Sequence, residues 1–196
     1  MTPPLDLPGP LDALLAGMDD HYRECALPWV TLSYAQSLDG SISADRGASL
    51  VLSGPAALEI THSLRARHQA ILVGIGTVMA DDPQLNVRLV PGDNPQPVVL
   101  DNQLRFPLKA RLLLGQKPPW IMTSRQACAE RETALVQAGA RVFRSSTGGV
   151  DLLDMLHIMG QEGVRSVMVE GGAQVITAFL QAQLVDVLAI TISPLL

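Results

Sequence analysis

Three short stretches combine residue types that can hold a phosphate. Glu170-Gly171-Gly172-Ala173 follows the apolar run Val167-Met168-Val169, and Val73-Gly74-Ile75-Gly76-Thr77 leads on to Asp81-Asp82-Pro83. Thr147-Gly148-Gly149 is the third. A glycine pair where a strand gives way to a helix lets backbone N–H groups approach an anion, and the helix dipole favours negative charge there. A plain tight turn needs the same glycines, so each junction alone stands open between the two readings. Neither of the first two fits GxGxxG, so the dinucleotide fingerprint of a Rossmann fold is absent. Glu170 is either a helix-dipole partner or a functional carboxylate. Arg65, Arg67 and Arg88 carry the paired donors that match a phosphate. Gln36, Ser37 and Asp39 crowd ahead of Gly40 at the end of the apolar stretch WVTLSYAQS.

Positioning these groups requires an alternating scaffold. Strand candidates are Val30–Ala35, Ala70–Val73, Val98–Leu100, Trp120–Thr123, Arg141–Phe143, Ser166–Val169 and Val187–Ile192. Most are short continuous apolar runs, the pattern of strands covered on both faces. Ser53-Gly54-Pro55 opens a helix whose apolar stripe is Ala57, Ile60 and Leu64. Further helices are predicted over Gln126–Ala138, Leu152–Met159 and Ala173–Ala182, the first two ending at glycine. The alternation predicts an α/β fold with a largely parallel sheet. Residues 1–27 read as an arm, Pro-rich and then amphipathic through Leu11, Leu14, Leu15 and Met18.

Composition narrows the function classes. The chain has 196 residues, 47% apolar and 17% charged, enough for one domain with a sizeable core. A net charge of −5 with 14 scattered Lys and Arg argues against nucleic acid as the main partner. No apolar run reaches the ~18–20 residues of a membrane span, and the N-terminus does not read as a secretory signal. A cytoplasmic location is therefore expected. Cys25 and Cys128 lie far apart with no CxxC pair, and the four histidines do not cluster, so no metal site is expected.

The blocks VTLSYAQSLDGSIS, LRARHQAILVGIGTVMADDPQLNVR, PVVLDNQLRFP and SVMVEGGAQVI, in this order, resemble the pyrimidine reductases of riboflavin biosynthesis. The resemblance covers residues 29 to 196. It implies a dihydrofolate-reductase-like fold and a homodimer. It also implies NADPH-dependent reduction of the ribose of a ribosylaminopyrimidine 5′-phosphate to the ribityl chain. Substrate contacts then fall on Ser49, Arg65, Leu85, Arg88 and Glu170. Cofactor contacts fall on Gln36, Val51, Thr77, Asp81, Asn102 and the run Gly172, Ala173, Gln174, Val175, Ile176, Thr177 and Ala178. Catalytic duties fall on Glu170 and Asp39, with either of them or water as the proton source. Arg125 is the candidate for the adenosine 2′-phosphate.

Several positions depart from the bacterial bifunctional members. Ser33 stands where those have lysine, Val51 where they have tryptophan, and Ala48 where they have glutamate. The wording is nearer the stand-alone fungal and archaeal branch, which acts on a diaminopyrimidinone. The chain also ends at Ser193-Pro194-Leu195-Leu196, where the family continues into further strands, so a C-terminally truncated sheet is expected. Two alternatives stay open: a related NADPH reductase of another pterin-like heterocycle, and a non-catalytic nucleotide-binding member of the fold.

Overall fold

The computed structural model describes residues 8–41, 54–146 and 148–194. Seven strands form one sheet: β1 (Trp29–Ser37), β2 (Ala70–Gly74), β3 (Gln96–Leu100), β4 (Trp120–Thr123), β5 (Arg141–Arg144), β6 (Ser166–Gly171) and β7 (Val187–Ser193). All pairings are parallel, in the order β5-β4-β3-β2-β6-β1-β7. The expectation of a largely parallel sheet is met with no antiparallel pair among the described residues. β2 is AILVG and every residue of it is buried, which is why it reads as an unbroken apolar run.

Helices cover both faces. In chain order they are α1 (Pro8–Leu15), α2 (Met18–Cys25), α3 (Pro55–Arg67), α4 (Ile75–Asp81), α5 (Ala129–Gln137), α6 (Leu152–Gln161) and α7 (Ala173–Gln181). On one face Val30, Leu32, Leu72, Val98, Val167 and Val169 pack with Met155, Leu156 and Met159 of α6 and Ile176 and Phe179 of α7. On the other, Ile71, Val73, Val99 and Ile121 pack with Val78 of α4, Leu135 of α5 and the loop residues Leu104 and Phe106. Leu11 of α1 and Leu64 of α3 close over Met168 on that same side. Alternate residues of the central strands serve opposite layers, as a pleated strand requires.

Local chemistry accounts for most boundaries. Pro55 occupies the first turn of α3 behind Gly54. The Asp151 side chain caps α6 by accepting the Asp154 N–H at 3.0 Å. Two expectations need adjusting. The single amphipathic arm is two helices broken near Gly17, with Leu14 exposed and only Leu11 and Leu15 buried. α5 starts three residues later than predicted, because Ser124–Ala127 forms a turn closed by Ala127 N–H to the Ser124 carbonyl. α4, seven residues long, has no clear periodic signature in a stretch opening on Gly74-Ile75-Gly76.

Candidate active site

Strands β2 to β5 step outward from the centre, and the chain then returns to lay β6 between β2 and β1. That reversal opens a crevice at the carboxyl ends of β2 and β6, the place where open parallel sheets take ligands. A cleft of about 800 Å³ lies there. Its walls come from Gly74–Thr77 at the start of α4, from Asn102, Gln103 and Arg105 after β3, and from Gly172–Val175 at the start of α7.

Glycine is required at this lip. Gly171 and Gly172 have φ of +131° and +81°, which L side chains rarely adopt. A Cβ on Gly172 would also come within 3.4 Å of Thr77 Oγ1 on the opposite wall. A Cβ on Gly74 would lie 2.8 Å from a Val175 methyl, so the two helix starts meet only because that residue is bare. The first turn of α7 thus faces the cleft with its helix dipole and backbone N–H groups, an arrangement suited to an anion.

Just before the lip the ladder slips. Leu72 pairs with Val169 but Val73 pairs with Gly171, leaving Glu170 as the extra residue of a bulge. A bulge re-aims the side chain it carries, and Glu170 reaches across to α3. Its two oxygens accept from Arg65 Nε at 2.5 Å and Nη2 at 2.6 Å, a fork-on-fork pair whose side chains are only 13% and 11% exposed. Arg65 Nη1 donates in addition to the Asn86 carbonyl at 3.0 Å. Arg88 Nη1 donates to Asn86 Oδ1 at 3.0 Å, so Asn86 joins both arginines to one loop. The Arg88 backbone N–H donates to His62 Nδ1 at 3.1 Å. His62 is buried, and desolvation, with Arg65 and Arg88 nearby, lowers its pKa from 6.5 to about 4.

The structure brings together Thr77, Asp81, Asn102, Gly172, Ala173, Gln174, Val175 and Ala178 around the cleft. Arg65, Glu170 and Arg88 form the adjoining polar cluster. Asn102 is partly committed: its Oδ1 accepts from Val150 N–H at 2.8 Å and its carbonyl from the Ser124 hydroxyl at 2.8 Å. Leu85 and Ile176 put their side chains into the core, so only their backbones are available to a ligand. Leu85 has φ +49°, which turns the loop between α4 and Arg88. Thr177 is exposed on α7, and Gln36 lies at the end of β1; neither lines the cleft. Ser49 and Val51, like Ala48, lie outside the described residues.

Asp39 occupies a self-contained turn. It accepts from the Ser37 hydroxyl, from Ser41 N–H at 3.0 Å and from the Ser41 hydroxyl at 3.0 Å. The Ser37 bond, and then the two from Ser41, hold its pKa below the usual aspartate value. Sequence reasoning missed His62, Asn86, Gln103 and Arg105. Asn86 lies inside the quoted block ending QLNVR, and Arg105 inside DNQLRFP, so position within those blocks was the available signal.

Among the described residues no helix is long and apolar enough to cross a membrane, and no group of His, Cys, Asp or Glu forms a metal site.

The geometry has counterparts in known proteins. The RibD C-terminal domain model matches residues 28–196. The riboflavin biosynthesis protein RibD of Bacillus amyloliquefaciens is 38% identical over 179 residues, covering 90% of this chain and 48% of that protein. The 2,5-diamino-6-ribosylamino-4(3H)-pyrimidinone 5′-phosphate reductase of Methanothermobacter thermautotrophicus is 39% identical over 172 residues, covering 86% and 79%. Among solved structures, Acinetobacter baumannii RibD superposes with a TM-score of 0.80 at 28% identity, covering 95% of this chain and 51% of that one. The riboflavin biosynthesis reductase of Saccharomyces cerevisiae gives 0.71 at 32% identity, covering 93% and 81%. This chain spans about half the length of the RibD proteins it matches. Sequence and architecture agree: the chain belongs to the RibD C-terminal domain family and has its dihydrofolate-reductase-like fold.

Proposed function

We propose that this chain reduces the ribose of a ribosylaminopyrimidine 5′-phosphate to the ribitylamino form, with NADPH as reductant, in riboflavin biosynthesis. The observation that carries the reading is the glycine-lipped cleft with the bulged Glu170 held at its edge by Arg65. The names of relatives from both the bifunctional and stand-alone branches support it. On this reading residues 28–196 are the reductase domain and residues 1–27 an arm.

The α7 N-terminus would hold the pyrophosphate, and Thr77, Asp81 and Asn102 would line the rest of the dinucleotide. Gln36 would mark its nicotinamide side, with Val51 and the exposed Thr177 as further contacts. When bound, the cofactor supplies the hydride. Arg88, exposed and tethered by its backbone to His62, presents its guanidinium to the substrate phosphate. Ser49 and the Leu85 backbone would complete that side. Glu170 accepts hydrogen bonds and orients the pyrimidine ribose, and Arg65 holds Glu170 in place. Asp39 shapes the turn at the end of β1 and, its pKa held below the usual aspartate value, is ionised at neutral pH and is not the proton donor, which leaves Glu170 or bound water for that role. The wall of α7 aligns the reacting partners and limits water, the protein's share of such a reaction.

The homodimer belongs to the same proposal. Leu188, Ile190 and Ile192, all exposed, line one face of the edge strand β7. Sedimentation of the purified chain tests it, a dimer being the expected species.

The activity test supplies purified protein and NADPH with each of the two ribosylaminopyrimidine 5′-phosphates, one carrying the 2-amino group and one deaminated. Loss of NADPH absorbance with formation of the ribitylamino product is expected for at least one. Folded protein that turns over neither would sink the proposal. Arg88→Ala should raise KM for the substrate about tenfold to a hundredfold, the loss of one charged hydrogen bond.

A further inference from the structure

We propose that Arg105 recognises the adenosine 2′-phosphate of the dinucleotide and so sets preference for NADPH over NADH. The inference rests on the dinucleotide reading of the cleft.

Arg105 is the only cationic side chain lining the cleft among the described residues; the other charged lining group is Asp81, on the α4 wall. The Arg105 side chain is 54% exposed, and its closest carboxylate oxygen, on Asp101, is 4.0 Å from Nε. That is too long for a hydrogen bond. Asp101 is itself fully committed to the backbone, accepting from Gln103 N–H at 3.3 Å and from Phe106 N–H at 2.8 Å. The guanidinium therefore keeps its donors for a ligand.

The backbone beneath it is fixed. Leu104 and Phe106, on either side of Arg105, are completely buried, and Leu104 holds φ +54°. Their carbonyls accept from Arg131 Nε at 3.0 Å and Nη2 at 2.8 Å. A cation on a rigid turn between two core anchors loses little freedom on binding.

Its position within the cleft identifies the phosphate. Gln36 on β1 would mark the nicotinamide side, and the α7 N-terminus beside β6 would take the pyrophosphate. The adenosine then lies over the ends of β3 and β4. There the cleft continues through Asn102 and Gln103 into a second hollow of about 560 Å³, lined also by Ser124, Gln126 and Gly148. Arg105 stands beside that continuation. Arg125, the candidate from sequence, lines neither hollow although both of its neighbours line the second.

Calorimetric titration of the folded chain with NADP⁺, NAD⁺ and 2′,5′-ADP tests the assignment. Arg105→Ala and Arg105→Gln should weaken NADP⁺ and 2′,5′-ADP on the order of tenfold to a hundredfold and leave NAD⁺ binding unchanged. Arg105→Lys should restore part of the loss. Unchanged NADP⁺ affinity in both variants overturns the proposal, as does equal weakening of NAD⁺ and NADP⁺, which would place Arg105 on a group the two share. Wild-type protein that binds neither dinucleotide overturns the cofactor reading itself, an outcome the variants cannot mimic.

Discussion

The Glu170–Arg65 pair ties the end of β6 to α3, and through Asn86 to the loop bearing Arg88. Removing one partner of a nearly buried ion pair strands the other charge and costs about 3–5 kcal/mol. Glu170→Gln should therefore lower the urea midpoint and slow turnover, while a double-mutant cycle with Arg65→Met should recover part of the stability. Full additivity would mean the two side chains act independently. The imidazoles of His62 and His68 make a second expectation. His68 is buried, its Nδ1–H donating to the Leu64 carbonyl at 2.7 Å and its Nε2 accepting from the Thr31 hydroxyl at 2.8 Å. Desolvation lowers the pKa of both histidines, His62 to about 4. The unfolded chain, with its histidines near 6.5, binds more protons than the folded one below that pH. Stability should thus be undiminished above pH 6.5 and fall steadily toward pH 4. His62→Gln should flatten part of that slope in denaturation curves taken across the range.

Single atoms decide how the elements fit. A Cβ on Gly160 of α6 would lie 2.2 Å from the Ala26 carbonyl oxygen, where the chain leaves α2 for β1. Gly160→Ala should cost about 1–3 kcal/mol and loosen α2, whose Tyr22 hydroxyl donates to the Gly160 carbonyl at 2.8 Å. Faster proteolysis within residues 18–26 checks it. Gly172→Ala should act differently, costing dinucleotide affinity because the side chain would crowd Thr77 at the cleft lip. All seven strands are legible in the sequence: β2 and β4, buried at every residue, read as compact apolar runs, and β5 and β7 read as short runs rich in β-branched and aromatic residues although each is partly exposed. The glycine junction after VMV is equally visible. The bulge at Glu170 is not, because it arises from a one-residue slip against β2 that no local pattern encodes. The Arg65–Glu170 pair spans 105 residues, and α4 is too short to show a period. Arg105 escaped notice because an arginine before phenylalanine in a loop looks like ordinary solvated surface; only the buried residues around it show that it is held.

At the scale of the whole molecule, the order β5-β4-β3-β2-β6-β1-β7 separates what is near in sequence from what is near in space. The carboxyl ends of β2 and β6 meet at the crevice although α4, β3, a 3-10 turn (Arg111–Leu114), β4, α5, β5 and α6 all intervene between them. Substitutions in β3 or β4 that leave the fold intact should therefore reach the side of the cleft proposed for adenosine before the Glu170 side, which NADP⁺ and substrate affinities measured separately would show. The same arrangement governs how the chain is born. β1 emerges from the ribosome first among the strands, yet its two neighbours, β6 and β7, are the last to be made. At ~5–20 residues per second, an apolar strand waits several seconds with both edges open. Stalled nascent chains ending before Ser166 should stay protease-sensitive across Trp29–Ser37 and engage chaperones, whereas chains extending past Ser193 should not. The first strand of this fold closes last.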